Sequence, residues 1–111
     1  MEMIPERGDI WWVDLDPTLD SEIQKTRPCV VISVKVLNER RRTVIVVPLS
    51  SSPRASPPIL IPIRCEGRAA VAVSDQIRAV TKERLRSRLG VITADEMAAL
   101  EEGLRQIMQL G

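Results

Sequence analysis

The sequence lacks histidine, phenylalanine and tyrosine altogether and has two cysteines among its 111 residues. Two cysteines cannot form a disulfide framework. Without histidine, Cys29 and Cys65 have neither a partner for nucleophilic catalysis nor further ligands for a metal, so we interpret both as structural. Because Trp11 and Trp12 are the only aromatic residues, an aromatic RNA-binding platform of the RRM kind is disfavoured.

Long hydrophobic runs are also missing. No apolar run reaches membrane-spanning length, and the first residues lack the charged, apolar and small-residue order of a signal peptide. Together with the cysteine usage, this predicts a protein that is neither secreted nor membrane-embedded and that works in the reduced cytoplasm. With 44% hydrophobic and 28% charged residues, we expect one globular domain over residues 1–111.

The net charge of +1 hides an uneven distribution. Residues 1–22 carry one basic and seven acidic side chains, residues 23–92 carry fourteen basic and four acidic, and residues 93–111 carry one basic and four acidic. A basic middle favours a polyanionic partner, either nucleic acid or an acidic peptide. A solvated surface of mixed charge is the alternative that charge alone leaves open.

Short apolar runs bounded by turn residues predict a mainly β chain. We expect strands over residues 10–15, 28–34, 43–49, 59–63, 69–73 and 86–92, the fifth extending as far as residue 77. Residues 35–42 are expected to form a polar connection with a short helical turn, residues 50–58 a surface loop, and residues 81–85 one helical turn. Pro48 implies that the third strand lies at an edge or ends there, because proline has no N–H to donate.

The clearest helix begins at Thr93, which forms a capping box with Glu96. Apolar residues then recur at steps of three and four, giving one stripe for the core or for a dimer contact: Met97, Leu100, Leu104, Ile107 and Met108. The predicted fold is therefore a small, mainly β (α+β) barrel closed by a C-terminal helix.

The first strand and the loop after it hold the most suggestive side chains. Asp16-Pro17 ends the strand, and the following polar loop carries Glu22 and Arg27 before Pro28 begins the second strand. A charged pair in a loop between two strands is a common place for binding or catalysis.

Several stretches, in this order and at these spacings, resemble the MazF/PemK toxin family of bacterial toxin–antitoxin systems: Arg7-Gly8-Asp9-Ile10, Val13-Asp14-Leu15-Asp16-Pro17-Thr18, Ser21-Glu22, Lys25-Thr26-Arg27-Pro28, Val47-Pro48-Leu49-Ser50-Ser51 and Asp75-Gln76-Ile77-Arg78. The resemblance covers essentially the whole chain. It implies an SH3-like β-barrel that forms a homodimer and cuts single-stranded RNA, chiefly messenger RNA, at selected sequences without metal or cofactor. It further implies a cognate antitoxin whose flexible acidic tail occupies the RNA-binding groove.

The resemblance implies catalytic roles for Arg27, Ser50 and Glu22. In metal-free RNA cleavage the 2′-hydroxyl attacks the adjacent phosphate, leaving 2′,3′-cyclic phosphate and 5′-hydroxyl ends, and a chain without histidine must use other groups for the proton steps. An arginine ordinarily has a pKa above ~12, so we assign Arg27 mainly to charge stabilisation. Glu22 is the candidate base, and Ser50, where the family usually has threonine, can donate to the phosphate or orient the 2′-hydroxyl.

Other polar residues are candidates for RNA binding. They are Lys25, Thr26, Ser51, Asp75, Gln76, Arg78, Arg84 and Arg86, with Lys82 and Arg88 as further cations. Some relatives have an arginine two positions before the aspartate, but this chain has Val73 there, so an arginine–aspartate catalytic pair is not carried over.

Two alternatives come from other functional classes: a CcdB-like poison of DNA gyrase, and a non-catalytic module that binds nucleic acid or a peptide on the same fold. The intact Lys25-Thr26-Arg27-Pro28 motif favours the nuclease.

Overall fold

The structure, a computed structural model, describes residues 4–15, 26–51 and 54–111. These residues form seven strands: β1 (Asp9–Asp14), β2 (Thr26–Val31), β3 (Thr43–Ser50), β4 (Leu60–Cys65), β5 (Arg68–Val73), β6 (Arg78–Thr81) and β7 (Leu85–Val91). Two α-helices, α1 (Lys35–Arg40) and α2 (Ala94–Met108), and two short 3₁₀ turns, Ser74–Gln76 and Lys82–Arg84, complete the described part. None of its helices is long and apolar enough to cross a membrane.

Strand β3 lies at the centre of an antiparallel sheet with the order β4-β5-β3-β2-β1-β7. One side of β3 pairs with β2, while the other pairs with β6 along residues 43–46 and with β5 at residues 49 and 50. The expectation that Pro48 marks an edge or a strand end is therefore wrong. Pro48 lies where β3 changes partner from β6 to β5, a position at which a residue without an N–H donor is tolerated.

Side chains on the two faces of the sheet enter two separate cores, because successive residues of a strand point to opposite faces. From β1, Ile10 enters the first core, which is covered by α2, and Trp11 and Val13 enter the second. Strands β6 and β7 lie at opposite sides of the β3-β2-β1 unit but are joined by the short turn Lys82–Arg84. The sheet must therefore curve around the second core, which confirms a mainly β barrel-like fold with a C-terminal helix.

The predicted extension of the fifth strand to residue 77 is wrong. β5 ends at Val73, where the turn Ser74–Gln76 redirects the chain, and Ile77 N donates to Ser74 O to close it. The chain then crosses to the other half of β3 and forms β6 as a separate strand. The polar connection after β2 is also more regular than expected, because Lys35–Arg40 forms the six-residue helix α1.

Helix α2 begins as predicted. Thr93 Oγ1 accepts from Glu96 N at 3.1 Å, and Glu96 Oε1 accepts from Thr93 N at 2.8 Å, which completes the capping box. Four members of the apolar stripe are buried or partly buried in the first core: Met97, Leu100, Leu104 and Ile107. The fifth member, Met108, is 43% exposed and is not part of the first core, so the alternative of a dimer contact stays a prediction for this residue.

Gly103 is where α2 packs most closely on the sheet. A Cβ built there would lie 2.8 Å from Pro58 O and 3.0 Å from Ile61 Cδ1. Alanine normally favours a helix over glycine by about 1 kcal/mol, whereas overpacking a core costs about 1–3 kcal/mol. Because one clash involves a backbone oxygen, the packing cost should exceed the gain in helix propensity.

We therefore expect Gly103→Ala to lower the free energy of unfolding by about 1–2 kcal/mol. Urea denaturation at a fixed protein concentration measures this change. A variant more stable than the wild type would show that α2 can move away from the sheet without loss.

Candidate functional site

A cavity of about 410 Å³ lies where the ends of β2 and β3 meet the β4–β5 hairpin. Four predicted site residues line it: Thr26, Arg27, Ser50 and Ser51. Their proximity follows from the antiparallel register of β2 and β3, in which Cys29 pairs with Pro48. Continued in the same register, Arg27, two residues before Cys29, lies towards Ser50, two residues after Pro48. The structure thus brings together residues that are more than twenty positions apart in the sequence.

The guanidinium of Arg27 is held against the end of β3. Its Nη1 donates a long hydrogen bond of 3.4 Å to Leu49 O, one residue before Ser50. Its Nε is buried, and within the described ranges no acceptor reaches it. A buried donor without an acceptor is costly. Among the described residues, no carboxylate forms an ion pair with Arg27.

The buried Cys29 thiol lies near two positive charges. Burial raises the pKa of the Cys29 thiol to about 12, and the nearby Arg78 and Arg27 guanidiniums oppose that rise without cancelling it. Arg78 is an exposed residue of β6, so the Cys29 thiol lies within the electrostatic reach of both arginines. Cys65 lines the cavity itself, and burial together with the Glu66 carboxylate raises the pKa of the Cys65 thiol.

Other predicted RNA-binding residues lie elsewhere. Asp75 and Gln76 are exposed on the turn after β5 and do not line the cavity. Arg84 Nη1 donates to Asp14 O at 3.2 Å, and Arg86 Nη2 forms a 2.9 Å ion pair with Asp14 Oδ2 at the end of β1. Glu22 and Lys25 lie outside the described residues.

The structure adds cavity residues that sequence reasoning left out or left undecided. Of the two tryptophans, Trp11 is buried at 6% exposure, whereas Trp12 is 37% exposed and forms a cavity wall. The hairpin contributes Glu66 and Arg68. Alternation along β1 separates the faces of the two tryptophans, but no local pattern indicates that β5 pairs with the end of β3 and so brings the β4–β5 hairpin to the cavity.

Arg88 binds a buried carboxylate near the start of β1 and does not line the cavity. Its Nε forms a 3.0 Å ion pair with the Asp9 carboxylate, which also accepts hydrogen bonds from Glu6 N and Trp11 Nε1. Asp9 is only 3% exposed, so this contact fixes the start of β1. Because the Arg88 side chain is 44% exposed, the ion pair is half-buried rather than fully buried.

The described residues contain no group of three or more His, Cys, Asp or Glu side chains arranged to hold a metal ion. The polar groups of the cavity are instead two guanidiniums, three hydroxyls and one carboxylate, which line it together with Pro28 and Leu49. Guanidinium and hydroxyl donors suit a phosphate. The arrangement can therefore bind a phosphate ester and stabilise added negative charge on it.

Residues 6–108 match the model of a protein family described as PemK-like, MazF-like toxin of type II toxin–antitoxin system. Endoribonuclease MazF9 of Mycobacterium tuberculosis is 35% identical, with 94% of this chain and 96% of the relative aligned. Endoribonuclease EndoA of Bacillus subtilis is 30% identical, with 93% of each chain aligned.

Solved structures agree on the fold. MazF from Deinococcus radiodurans superposes with a TM-score of 0.84 at 21% identity, covering 98% of this chain and all of that one. An endoribonuclease in complex with its cognate antitoxin from Mycobacterial species superposes with a TM-score of 0.78 at 20% identity, covering 97% and 96% of the two chains.

The two thiols should differ in reactivity, because the thiolate is the reactive form and a raised pKa reduces its fraction. At pH 8, a thiol with a pKa of about 12 is ionised in roughly one molecule in 10⁴. We expect a thiol-specific disulfide reagent to modify Cys65 slowly and Cys29 not at all in the native protein, and both thiols in urea. The variant Cys65→Ser isolates Cys29. Rapid native labelling of that variant would contradict the burial described here.

Proposed function

We propose that this chain, which belongs to the PemK-like, MazF-like toxins of type II toxin–antitoxin systems, is a sequence-selective endoribonuclease of single-stranded RNA. The observation that carries the proposal is the shared cavity of Arg27 and Ser50, where a guanidinium without a described carboxylate partner lies beside hydroxyl groups. The 35% identity to a mycobacterial endoribonuclease along nearly the full length supports it.

The reaction is the attack of the RNA 2′-hydroxyl on the adjacent phosphorus. The new bond closes a 2′,3′-cyclic phosphate, the bond to the 5′ oxygen breaks, and that oxygen leaves as a hydroxyl after taking up a proton. In a chain without histidine, the protein must help through charge stabilisation and through carboxylate or hydroxyl groups.

Arg27 stabilises the phosphate as negative charge accumulates on its oxygens. Its planar fork can donate two parallel hydrogen bonds to a phosphate, and its limited exposure to water strengthens the attraction. Ser50 donates to a phosphate oxygen or orients the 2′-hydroxyl, and Glu22 accepts the 2′ proton as general base.

The RNA backbone is held by groups around and beyond the cavity. Thr26 and Ser51 line the cavity, and Arg78, like Arg27, places its positive charge within reach of Cys29. Lys25 continues the loop before Thr26. More distant contacts with the RNA are assigned to Asp75, Gln76, Arg84 and Arg86.

The proposed partners are a second copy of this chain and a cognate antitoxin with a flexible acidic tail, in the cytoplasm, where messenger RNA is found. Structures of MazE–MazF from Deinococcus radiodurans and of a mycobacterial endoribonuclease with its antitoxin support the second partner. The excess of basic residues between positions 23 and 92 suits both the RNA and the acidic tail.

Incubation with a long single-stranded RNA in EDTA tests the activity. We expect discrete cuts with 2′,3′-cyclic phosphate and 5′-hydroxyl ends, mapped by ligation and sequencing. Arg27→Ala should slow cleavage by a factor on the order of 10²–10³, because it removes the main charge stabilisation. Arg105→Ala, which removes an exposed arginine paired with Glu102 on α2, is the matched control and should cut normally.

Intact RNA with the wild-type protein, or undiminished cleavage by Arg27→Ala, would contradict the proposal. Intact RNA combined with inhibition of DNA gyrase would move the protein to a different functional class.

A further inference from the structure

The cavity has an apolar wall that phosphate chemistry does not require. Trp12, Pro28, Leu49, Ala69 and Ala70 line the space beside Arg27 and Ser50. Trp12 is 37% exposed, although its neighbour Trp11 is buried. Aromatic side chains exposed beside a nucleic-acid backbone site commonly stack on a base. The wall therefore has the chemistry of a nucleobase surface.

Glu66 places a carboxylate at the same cavity. It lies at the tip of the β4–β5 hairpin with a backbone φ of 53°, a left-handed conformation that is uncommon outside glycine. Burial, and after it the negative charge of Glu66, raises the pKa of the Cys65 thiol, which also lines the cavity. Glu66 forms no ion pair with any described residue.

A carboxylate in this position repels the RNA phosphates, so it does not bind them. An ionised carboxylate only accepts hydrogen bonds. RNA offers it the ribose 2′-hydroxyl and the N–H groups on base edges as donors, and beside an exposed indole the base edge is the favoured donor, because acidic side chains accept from the amino group of cytosine. The pairing of an exposed indole with a lone acceptor thus distinguishes a base from a phosphate as the occupant.

We infer that this part of the cavity is a nucleobase-binding slot next to the phosphate site, in which a base stacks on Trp12 and donates an exocyclic amino N–H to Glu66. Its position beside the cleaved phosphate rests on the proposed function. The slot selects amino-bearing bases, and it distinguishes cytosine from uracil most directly. The two bases have nearly the same shape, but uracil presents a carbonyl oxygen where cytosine presents the amino group.

Binding of non-cleavable homopolymers tests the slot without requiring catalysis or a known binding register. The probes are fluorescent 2′-O-methyl oligocytidylate and oligouridylate of equal length, titrated at pH 7.5 and followed by anisotropy. We expect the wild-type protein to bind the cytidylate about tenfold more tightly, the lower part of the range for a specific base contact.

Glu66→Gln should reduce this preference to within about twofold, because an amide can both accept from an amino group and donate to a carbonyl. The matched control is Glu83→Gln, which neutralises another exposed carboxylate, in the turn Lys82–Arg84, and should retain the tenfold preference. Trp12→Ala should weaken binding of both probes by roughly tenfold through lost stacking. Circular dichroism verifies that each variant is folded.

Equal wild-type affinity for the two probes, or an unchanged preference in Glu66→Gln, would overturn the inference. The two proposals fail separately. A protein that prefers cytidylate yet leaves long RNA intact would refute the nuclease and keep the slot, whereas cleavage without the binding preference would refute the slot alone.

Discussion

The site depends on the change of partner along one side of β3. The first half of β3 pairs with β6 and belongs to the curved sheet around the second core, whereas its last two residues pair with β5. Pro48 lies between the two segments. Because the chain beyond Pro48 leaves the β6 side and joins the β4–β5 hairpin, Ser50 is placed between Arg27 on β2 and the hairpin. Without that change, the cavity would lack its wall opposite β2.

Arginines have two different roles around the site: some form ion pairs with aspartates of β1, and others line the cavity. Arg86 and Arg88 neutralise Asp14 and Asp9 at the two ends of β1 and so stabilise the strand. Arg27 has a backbone carbonyl as its described partner. At a 4 Å separation, two unit charges attract by about 1 kcal/mol in bulk water and about 4 kcal/mol in a protein-like environment. A half-buried Arg27 is therefore better suited to a substrate phosphate than a fully solvated arginine.

The parts of the fold that sequence reasoning predicted depend on local signals. The capping box at Thr93 and the stripe through Leu100 and Leu104 predicted α2, and β-branched runs predicted the strands to within a few residues. Pairing between distant strands has no such local signal. For that reason the role of Pro48 and the independence of β6 were missed.

The site residues divide in the same way, into those that sequence motifs predicted and those whose place depends on how distant strands pack. The motif positions predicted that Arg27 and Ser50 belong together, and they line one cavity. The choice between Trp11 and Trp12 required knowledge of which face of β1 is covered, and the place of Glu66 required knowledge that β5 pairs with the end of β3. Arg84 and Arg86 were predicted to bind RNA, yet in the structure both contact Asp14. A basic residue has the same appearance in a sequence whether its side chain binds RNA or an acceptor within the protein.

The central claim is that Arg27 and Ser50 act on one phosphate from adjoining strands. A double-mutant cycle on kcat/KM for a single defined RNA tests it most directly, using Arg27→Ala, Ser50→Ala and the double variant, with Ser51→Ala as the hydroxyl control. Residues that act as a unit have non-additive effects. We predict that the double variant is scarcely slower than the slower single variant. Losses that multiply, so that the two free-energy changes add, would show that Arg27 and Ser50 work independently and would contradict the account.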